Sequence, residues 1–468
     1  MPEKYHIETK PVPPRRPRIG KYGIIDWRED CARCHNCVKK ACVYDRHRDE
    51  IKYIRNMEDV DALFFDCMGC FSCVQECTKN LLRLSINPEY QKLGNDYWTP
   101  QIIQTTWLQA ETAKIPVSGA GYGGRFSGYG FDSMWTDMSE IVRPTRDGIH
   151  GREYISTAVD IGKKNSFLVM KDGKLSTDIP PIISTPMPVI IDMMPENYAL
   201  PMLDAVIPET AYRTELIALI DSKKWPSGSA DSDKYLPHIA FYFSADAPLL
   251  PPGIIRKTAL AEIENSDNVN LRIKELKEIN PDIVVSVRVE LNGEGIRRAV
   301  ELSGSGVEVI HVVADTNGKQ TGVKDPLFIK DMIRIIHKSL IETGRRDDVT
   351  LISGGGIALP EHVAKALICG TDLVSIELPL LAALECHLCS VCAGEKSCPA
   401  KIRDAGFEYS AGRMTNLIAA WHDQMVELMG AMGIRDARRL RGDVGRAMFF
   451  EQLEEETFGK LFGTRKQA

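Results

Sequence analysis

Little in this 468-residue chain points to a membrane, a nucleic acid or a secretory route. No apolar run reaches the length of about 18 residues that a spanning helix needs. The best candidate, Leu378 to Leu384, is bounded by Glu377 and Glu385. The Pro- and Arg-rich opening that ends at Arg18 has no apolar h-region, so no secretory signal and a cytoplasmic location are expected. Neither sign of charge dominates: 58 Lys and Arg against 64 Asp and Glu leave a formal −6. That balance lacks the basic footprint of nucleic-acid binding. Hydrophobic content of 44% and charged content of 26% exclude a disordered or collagen-like chain. The length allows two to four domains. Cysteine, by contrast, is abundant. Thirteen cysteines without a signal cannot form a disulfide framework in a reducing compartment.

Twelve of the thirteen fall into three packets. Cys31, Cys34, Cys37 and Cys42 form C-x2-C-x2-C-x4-C. Cys67, Cys70, Cys73 and Cys77 form C-x2-C-x2-C-x3-C, and Cys386, Cys389, Cys392 and Cys398 form C-x2-C-x2-C-x5-C before Pro399. Three thiolates two residues apart can reach three iron corners of a cubane, with a fourth from elsewhere. Zinc prefers two cysteine pairs across a longer loop, so a third closely spaced cysteine favours iron–sulfur over zinc. Three [4Fe-4S] clusters are therefore expected. Cys369, left over, reads as a small buried hydrophobe. The first two packets resemble a bacterial dicluster ferredoxin, in which the fourth cysteine of each run ligates the other cluster. That resemblance implies one cluster on Cys31, Cys34, Cys37 and Cys77, and another on Cys67, Cys70, Cys73 and Cys42. Val43 and Thr78 replace the usual proline after each run. Short β-prone segments, Tyr22–Asp26 and Leu81–Ile86, flank the pair.

From Ile182 onward, apolar runs alternate with helical patterns. Pro188–Asp192, His238–Phe243, Ile283–Val287, Val307–Val313, Val349–Ile352 and Leu373–Ile376 read as buried strands. Gly295–Leu302, Pro326–Thr343 and Pro360–Ile368 read as helices, the second with apolar residues at 329, 332, 333, 336 and 340. Repeated β–α units imply a parallel sheet, either doubly wound or a (β/α)8 TIM barrel. The strand Leu351-Ile-Ser-Gly-Gly-Gly-Ile357, a helix and then Cys369-Gly-Thr-Asp favour the barrel, whose last loops often hold a phosphate. The plain alternative is a β–α turn that needs glycine for positive φ. On an iron–sulfur protein, a phosphate site suggests flavin mononucleotide (FMN). Gly119-Ala-Gly-Tyr-Gly-Gly124 imitates a dinucleotide fingerprint but lacks a preceding strand and a following helix, so it reads as a loop.

With these motifs in place, the chain resembles the FMN-binding domain of glutamate synthase behind a dicluster ferredoxin. Asn280-Pro-Asp-Ile-Val-Val-Ser-Val-Arg-Val289, Gly354-Gly-Gly-Ile357 and Val363–Asp372 carry the likeness. So do Cys386-His-Leu with its later Cys-Pro pair, and the helical tail from Asn416 through Gly433. Departures are as informative. The family's cluster uses three cysteines, whereas four are available here. Arg288 stands for its flavin-contacting lysine, and always keeps its charge. Ala314–Gly322 replaces a Gly-Gly-Thr-Gly loop, the family's Gly-Glu-Gly-Gly loop has no counterpart, and no N-terminal nucleophilic cysteine is found.

The organisation expected is an extended arm over 1–21, a ferredoxin-like α+β domain over 22–90 and a connector over 91–180. An FMN-binding barrel with the third cysteine motif follows over 181–402, then C-terminal helices over 403–468. The resemblance implies an iron–sulfur flavoprotein oxidoreductase that passes electrons through the clusters to FMN and on to an imine, 2-oxo-acid-type or other acceptor. Ser353, Gly354, Gly355, Gly356, Gly370 and Thr371 would hold the phosphate. Arg288 would stabilise negative charge on the reduced isoalloxazine, or form a structural ion pair. His311 would be a general acid, or a hydrogen-bonded core histidine. Asp315, Asn317 and Lys319 line the same mouth or form a solvated loop. The alternative is a non-catalytic electron-transfer subunit with a degenerate flavin site. Expected partners are other electron-transfer subunits or ferredoxin, and a separate amidotransferase or pyridine-nucleotide-oxidising subunit, in a hetero-oligomer. The Pro-rich arm reads as a strap onto such a partner.

Overall fold

The computed structural model describes residues 5–16, 19–26, 34, 36, 72–115, 130–136, 155–164, 168–176, 179–225, 230–389 and 398–463. The chain divides into two compact units. One comprises Met1–Val12, Leu108–Leu384 and Lys401–Ala468; the other comprises Pro13–Trp107 and Glu385–Ala400.

In the smaller unit, β1 (Tyr22–Asp26) pairs antiparallel with β2 (Leu82–Ile86), in register from Tyr22–Ile86 to Asp26–Leu82. These are the two strands expected to close a ferredoxin-like domain. The third cysteine segment belongs to this unit, although the sequence placed it with the barrel. Arg15 ties both ends of that segment. Its backbone N–H donates to Glu385 Oε1 at 3.0 Å, and its Nη2 donates to the Ala400 carbonyl at 3.1 Å. The Gly94 N–H donates to the His387 carbonyl at 2.8 Å, and the His387 ring lies 5.6 Å from that of Trp107.

The larger unit is a closed barrel of eight parallel strands. They are β3 (Val189–Ile191), β4 (Ala218–Asp221), β5 (Ile239–Phe243), β6 (Leu260–Glu264), β7 (Val284–Glu290), β8 (Val309–Val313), β9 (Thr350–Gly354) and β10 (Leu373–Ile376). Each pairs with the next in sequence, and β10 closes on β3 through Val374–Val189. Six of the eight were expected; β4 and β6 were not. Helices cover the outside: α1 (Leu203–Arg213), α2 (Val269–Ile279), α3 (Gly295–Ser303), α4 (Ile329–Glu342) and α5 (Pro360–Cys369), then α6 (Leu378–Ala383) and α7 (Phe407–Ala431). The expected apolar face of α4 is buried at Ile329, Met332, Ile333, Ile336 and Leu340, while Ile335 stays exposed. A short antiparallel pair, Val159–Ile161 with Ile183–Thr185, lies at the N-terminal ends of the strands. There Thr350 Oγ1 donates to the Gly162 carbonyl and accepts from its N–H.

The N-terminal arm straps its own chain, which corrects the partner reading for residues 5–12. Ile7 is buried, and the Val12 N–H donates to the Glu111 carbonyl at 2.9 Å. Arg413 and Asn416, both buried on α7, need acceptors, and the arm supplies the carbonyls of Val12 and Lys10 at 3.0 and 2.8 Å. Among the described residues no helix is long and apolar enough to cross a membrane.

Candidate functional site

A charged ring occupies the barrel interior towards the C-terminal ends of the strands. Side chains alternate along a strand, and β6, β7, β8, β10 and the residue after β3 send Glu262, Arg288, His311, Ser375 and Asp192 to the same place. Arg288 Nη1 and Nη2 donate to Asp192 Oδ1 and Oδ2 at 2.9 and 3.2 Å, a bidentate pair. Nη1 also donates to Glu262 Oε1 at 3.1 Å. Glu262 Oε2 lies 2.8 Å from His311 Nδ1 and accepts from Ser286 Oγ at 3.1 Å. His311 Nε2 lies 2.9 Å from Ser375 Oγ, which donates to Asp192 Oδ2 at 2.9 Å and closes the ring. Glycine is required at 354, because a Cβ there would stand 2.1 Å from Ser375 Oγ and 3.2 Å from His311 Nε2.

The ring is dry but for its cation. His311 is 0% exposed, Glu262 1% and Asp192 3%, whereas Arg288 is 17% exposed. Burial works against charge on Asp192, yet Arg288, His311 and the hydrogen bonds outweigh it and hold the carboxyl below its ordinary range. Glu262 behaves alike: burial opposes ionisation, while His311 and Arg288 prevail. Burial also disfavours the Arg288 charge, and the two carboxylates more than restore it. Glu377, just past β10, is different. Burial first, then the Asp192 charge, pushes its carboxyl up to about 8.

The expected site residues divide. Arg288 reaches the mouth as anticipated, and it does so as an ion pair. His311 is fully enclosed with both ring nitrogens engaged, the geometry of the hydrogen-bonded core histidine rather than of a side chain exposed at the mouth. Ser353, Gly354, Gly355 and Gly356 lie together at the exit of β9. Gly355 and Gly356 have φ of +90° and +72°. A Cβ at Gly355 would stand 2.6 Å from the Ala314 and Asp315 carbonyls. Ser353 Oγ is buried without a hydrogen-bond partner. Gly370 and Thr371 do not belong with them. They precede β10 and so lie at its N-terminal end, whereas Gly354 ends β9. The Gly370 carbonyl accepts from Arg346 Nη2 at 2.8 Å, and Thr371 Oγ1 donates to the backbone of Leu351 and Leu373. A phosphate at the mouth cannot use them. Asp315 Oδ1 accepts from the N–H groups of Asn317 and Lys319 at 2.9 and 2.7 Å, which makes that loop a closed turn. Asp192, Glu262, Ser375 and Glu377 were not singled out from the sequence.

Of the packet cysteines, Cys31, Cys37, Cys42, Cys67, Cys70 and Cys392 lie outside the described residues, as do Gly119–Gly124. Among the described residues no group of three or more His, Cys, Asp or Glu is placed to hold a metal ion. Cys34 Sγ lies 3.7 Å from Thr78 Oγ1, next to Cys77. Its thiol is drawn below the ordinary value by the Asn36 backbone and then by Thr78, with Cys77 opposing. Cys77 Sγ accepts from the Leu81 N–H at 3.2 Å, and Cys386 Sγ from the Leu388 N–H at 3.4 Å. Cys369 is buried against Met134 Sδ at 3.7 Å, its thiol pushed up to about 12 by burial.

Residues 253–435 match the conserved region of glutamate synthase. They run from before β6 through the Arg288 strand, the glycine turn and the third cysteine packet into α7. This part of the chain is glutamate synthase-like. The likeness extends well beyond it. An archaeal-type glutamate synthase (NADPH) from Dehalococcoides mccartyi is 24% identical over 90% of this chain and 93% of its own length. The archaeal glutamate synthase (NADPH) of Archaeoglobus fulgidus is 24% identical, covering 93% and 96%. Among solved structures, the flavin-binding domain of baker's yeast flavocytochrome b2 aligns with a TM-score of 0.42 and 11% identity, over 81% of this chain and 88% of that one.

Proposed function

We propose that this chain is an iron–sulfur flavoprotein oxidoreductase of glutamate synthase type. One observation carries the reading: relatives named as glutamate synthases align along nine-tenths of the chain and of their own length. The barrel residues suit FMN. Ser353 Oγ is a buried hydroxyl without a partner beside a glycine turn, where barrels of this kind often receive a phosphate. Arg288 presents part of its guanidinium to the mouth. Glu377, with its carboxyl near 8, holds its proton at neutral pH and keeps an opposing charge away from that end. Ser353 and the Gly354–Gly356 turn would hold the phosphate end, and Arg288 the ring end. When bound, the flavin would supply two-electron chemistry at the substrate.

The protein's own part is to exclude water and to fix Arg288. Glu262, Asp192 and Ser375 orient the guanidinium, and His311 orients Glu262. The twelve packet cysteines would hold three [4Fe-4S] clusters that feed the flavin. The nearness of Cys34 to Thr78 and Cys77 supports the crossed ligand set Cys31, Cys34, Cys37 and Cys77. The chain would work as one subunit of a hetero-oligomer, with the pyridine-nucleotide-oxidising and amidotransferase steps on other chains. The second reading, an electron-transfer subunit with a degenerate flavin site, is favoured by the packing of the Ala314–Lys319 turn against the glycine loop. The two separate in one assay. With FMN-loaded protein kept anaerobic and reduced by a low-potential viologen, 2-oxoglutarate and ammonium should reoxidise the flavin and yield glutamate. Flavin that stays reduced under every 2-oxo acid tried supports the second reading instead.

A further inference from the structure

On the face opposite the mouth, where the strands begin, the barrel unit holds a cavity of about 300 Å³. That volume sits at the small-ligand end of binding pockets. Its apolar lining is Val159, Leu367 and Ala437, all buried. The rest is charged and of both signs: Lys164, Arg438 and Arg441 with Asp160, Asp347 and Asp372.

The charged lining is held in place from behind, with capacity to spare in front. Asp372 Oδ2 accepts from Arg346 Nη2 at 2.7 Å and from the Leu351 N–H at 2.8 Å, and its Oδ1 accepts from Arg441 Nη1 at 3.2 Å. Arg441 Nη2 donates to Asp347 Oδ1 at 2.6 Å. Those bonds use two of the five N–H donors of Arg441 and fix its guanidinium. Arg438 Nη1 donates to Asp160 Oδ2 at 3.3 Å, while its Nε and Nη2 are spent on Asp436. Lys164 Nζ lies 3.6 Å from Asp160 Oδ2, beyond hydrogen-bond reach, so its ammonium hydrogens are uncommitted among the described residues. Asp347 Oδ2 and Asp160 Oδ1 likewise accept no hydrogen bond among them.

The charge count decides what such a lining can hold. Three cations and three carboxylates leave it formally neutral. A phosphate or a dicarboxylate would meet as many repelling groups as attracting ones. A metal ion would compete with the guanidinium partners that each aspartate already has. A molecule with one positive and one negative group can use both free sets. Its carboxylate would take the spare N–H groups of Arg441 and Lys164, and its ammonium the spare oxygens of Asp347 and Asp160. The apolar lining suits an aliphatic side chain.

We infer that this cavity binds a zwitterionic α-amino acid with a small aliphatic side chain, at a place separate from the barrel mouth. Neither the flavin nor the Arg288 ring takes part in it. Isothermal titration calorimetry of the purified full-length protein with L-valine is the test, and the result should be the same with and without bound flavin. One L-valine per chain should bind with a Kd of about 1 mM or tighter. No saturable binding up to about 10 mM overturns the inference. Valinamide, which lacks the carboxylate, and 3-methylbutanoate, which lacks the ammonium, should each bind about tenfold or more weakly. Either analogue binding as well as L-valine overturns the zwitterion assignment. Arg441→Gln should weaken L-valine by about tenfold or more, and Lys164→Gln, at a part-exposed position, by about threefold. Unchanged L-valine binding in the folded variants overturns the location, and Lys164→Gln alone decides it where Arg441→Gln does not fold.

Discussion

Gly354 shows how a residue without a side chain controls a site made of side chains. Its missing Cβ is the space that Ser375 Oγ and His311 Nε2 occupy. Gly354→Ala should cost about 1–3 kcal/mol through overpacking. Gly253→Ala, where nothing lies within 4 Å, should be neutral or slightly stabilising, and urea denaturation of both reads the difference. Glu377 yields a pH prediction. Its carboxyl is raised from an ordinary 4.5 to about 8, so its share of stability is fully present below 4.5 and is lost as pH rises through 8. Glu377→Gln should flatten the fall in denaturation midpoint between pH 5 and 9; an identical slope in both proteins would count against the burial argument. Why the ring escaped sequence reading is plain at this scale. A glutamate within Leu260-Ala-Glu-Ile-Glu264 looks like a solvent-facing position, and only closure of the barrel turns Glu262 inward. Arg288 was legible because a motif named it. Its two carboxylate partners come from strands 96 and 26 residues away, and no local pattern joins them.

At the scale of elements, long amphipathic helices and apolar strands were the legible part. The helices at 295, 329 and 360 begin within three residues of where periodicity put them. The strands β4 and β6 were missed for different reasons. Ala218–Asp221 is short, and β6 carries the inward glutamate that breaks its apolar pattern. Ile333→Ala on the buried face of α4 should cost about 2–5 kcal/mol, and Ile335→Ala on its exposed side under about 0.5 kcal/mol. The arm depends on α7 in the same physical way. Asn416 Nδ2 donates to the carbonyls of Lys10 and Ala110, so Asn416→Ala leaves buried carbonyls unpaired at a cost of about 1–3 kcal/mol. Limited proteolysis should then cut within residues 5–12 sooner than in the wild type; unchanged protection there would mean that Arg413 and Ile7 suffice.

For the whole molecule, the cysteine spacing that leads to the expected iron–sulfur clusters says little about the grouping of the parts. Spacing sorted the cysteines into three packets, but spacing says nothing of which body a packet joins. The third packet falls in the unit that holds the first two, drawn there by Arg15, Gly94 and Trp107. The barrel unit is left with Cys369 alone, a thiol that burial makes inert. Under the proposed function, that division would make the smaller unit the electron-carrying body and the barrel the chemical one. The most direct test is the composition of the purified protein: isolate it without oxygen and quantify iron, acid-labile sulfide, zinc and flavin. The account predicts brown protein with about twelve irons and about twelve sulfides per chain, alongside one FMN. Colourless protein with zinc in place of iron, or full iron with no affinity for FMN, would contradict it.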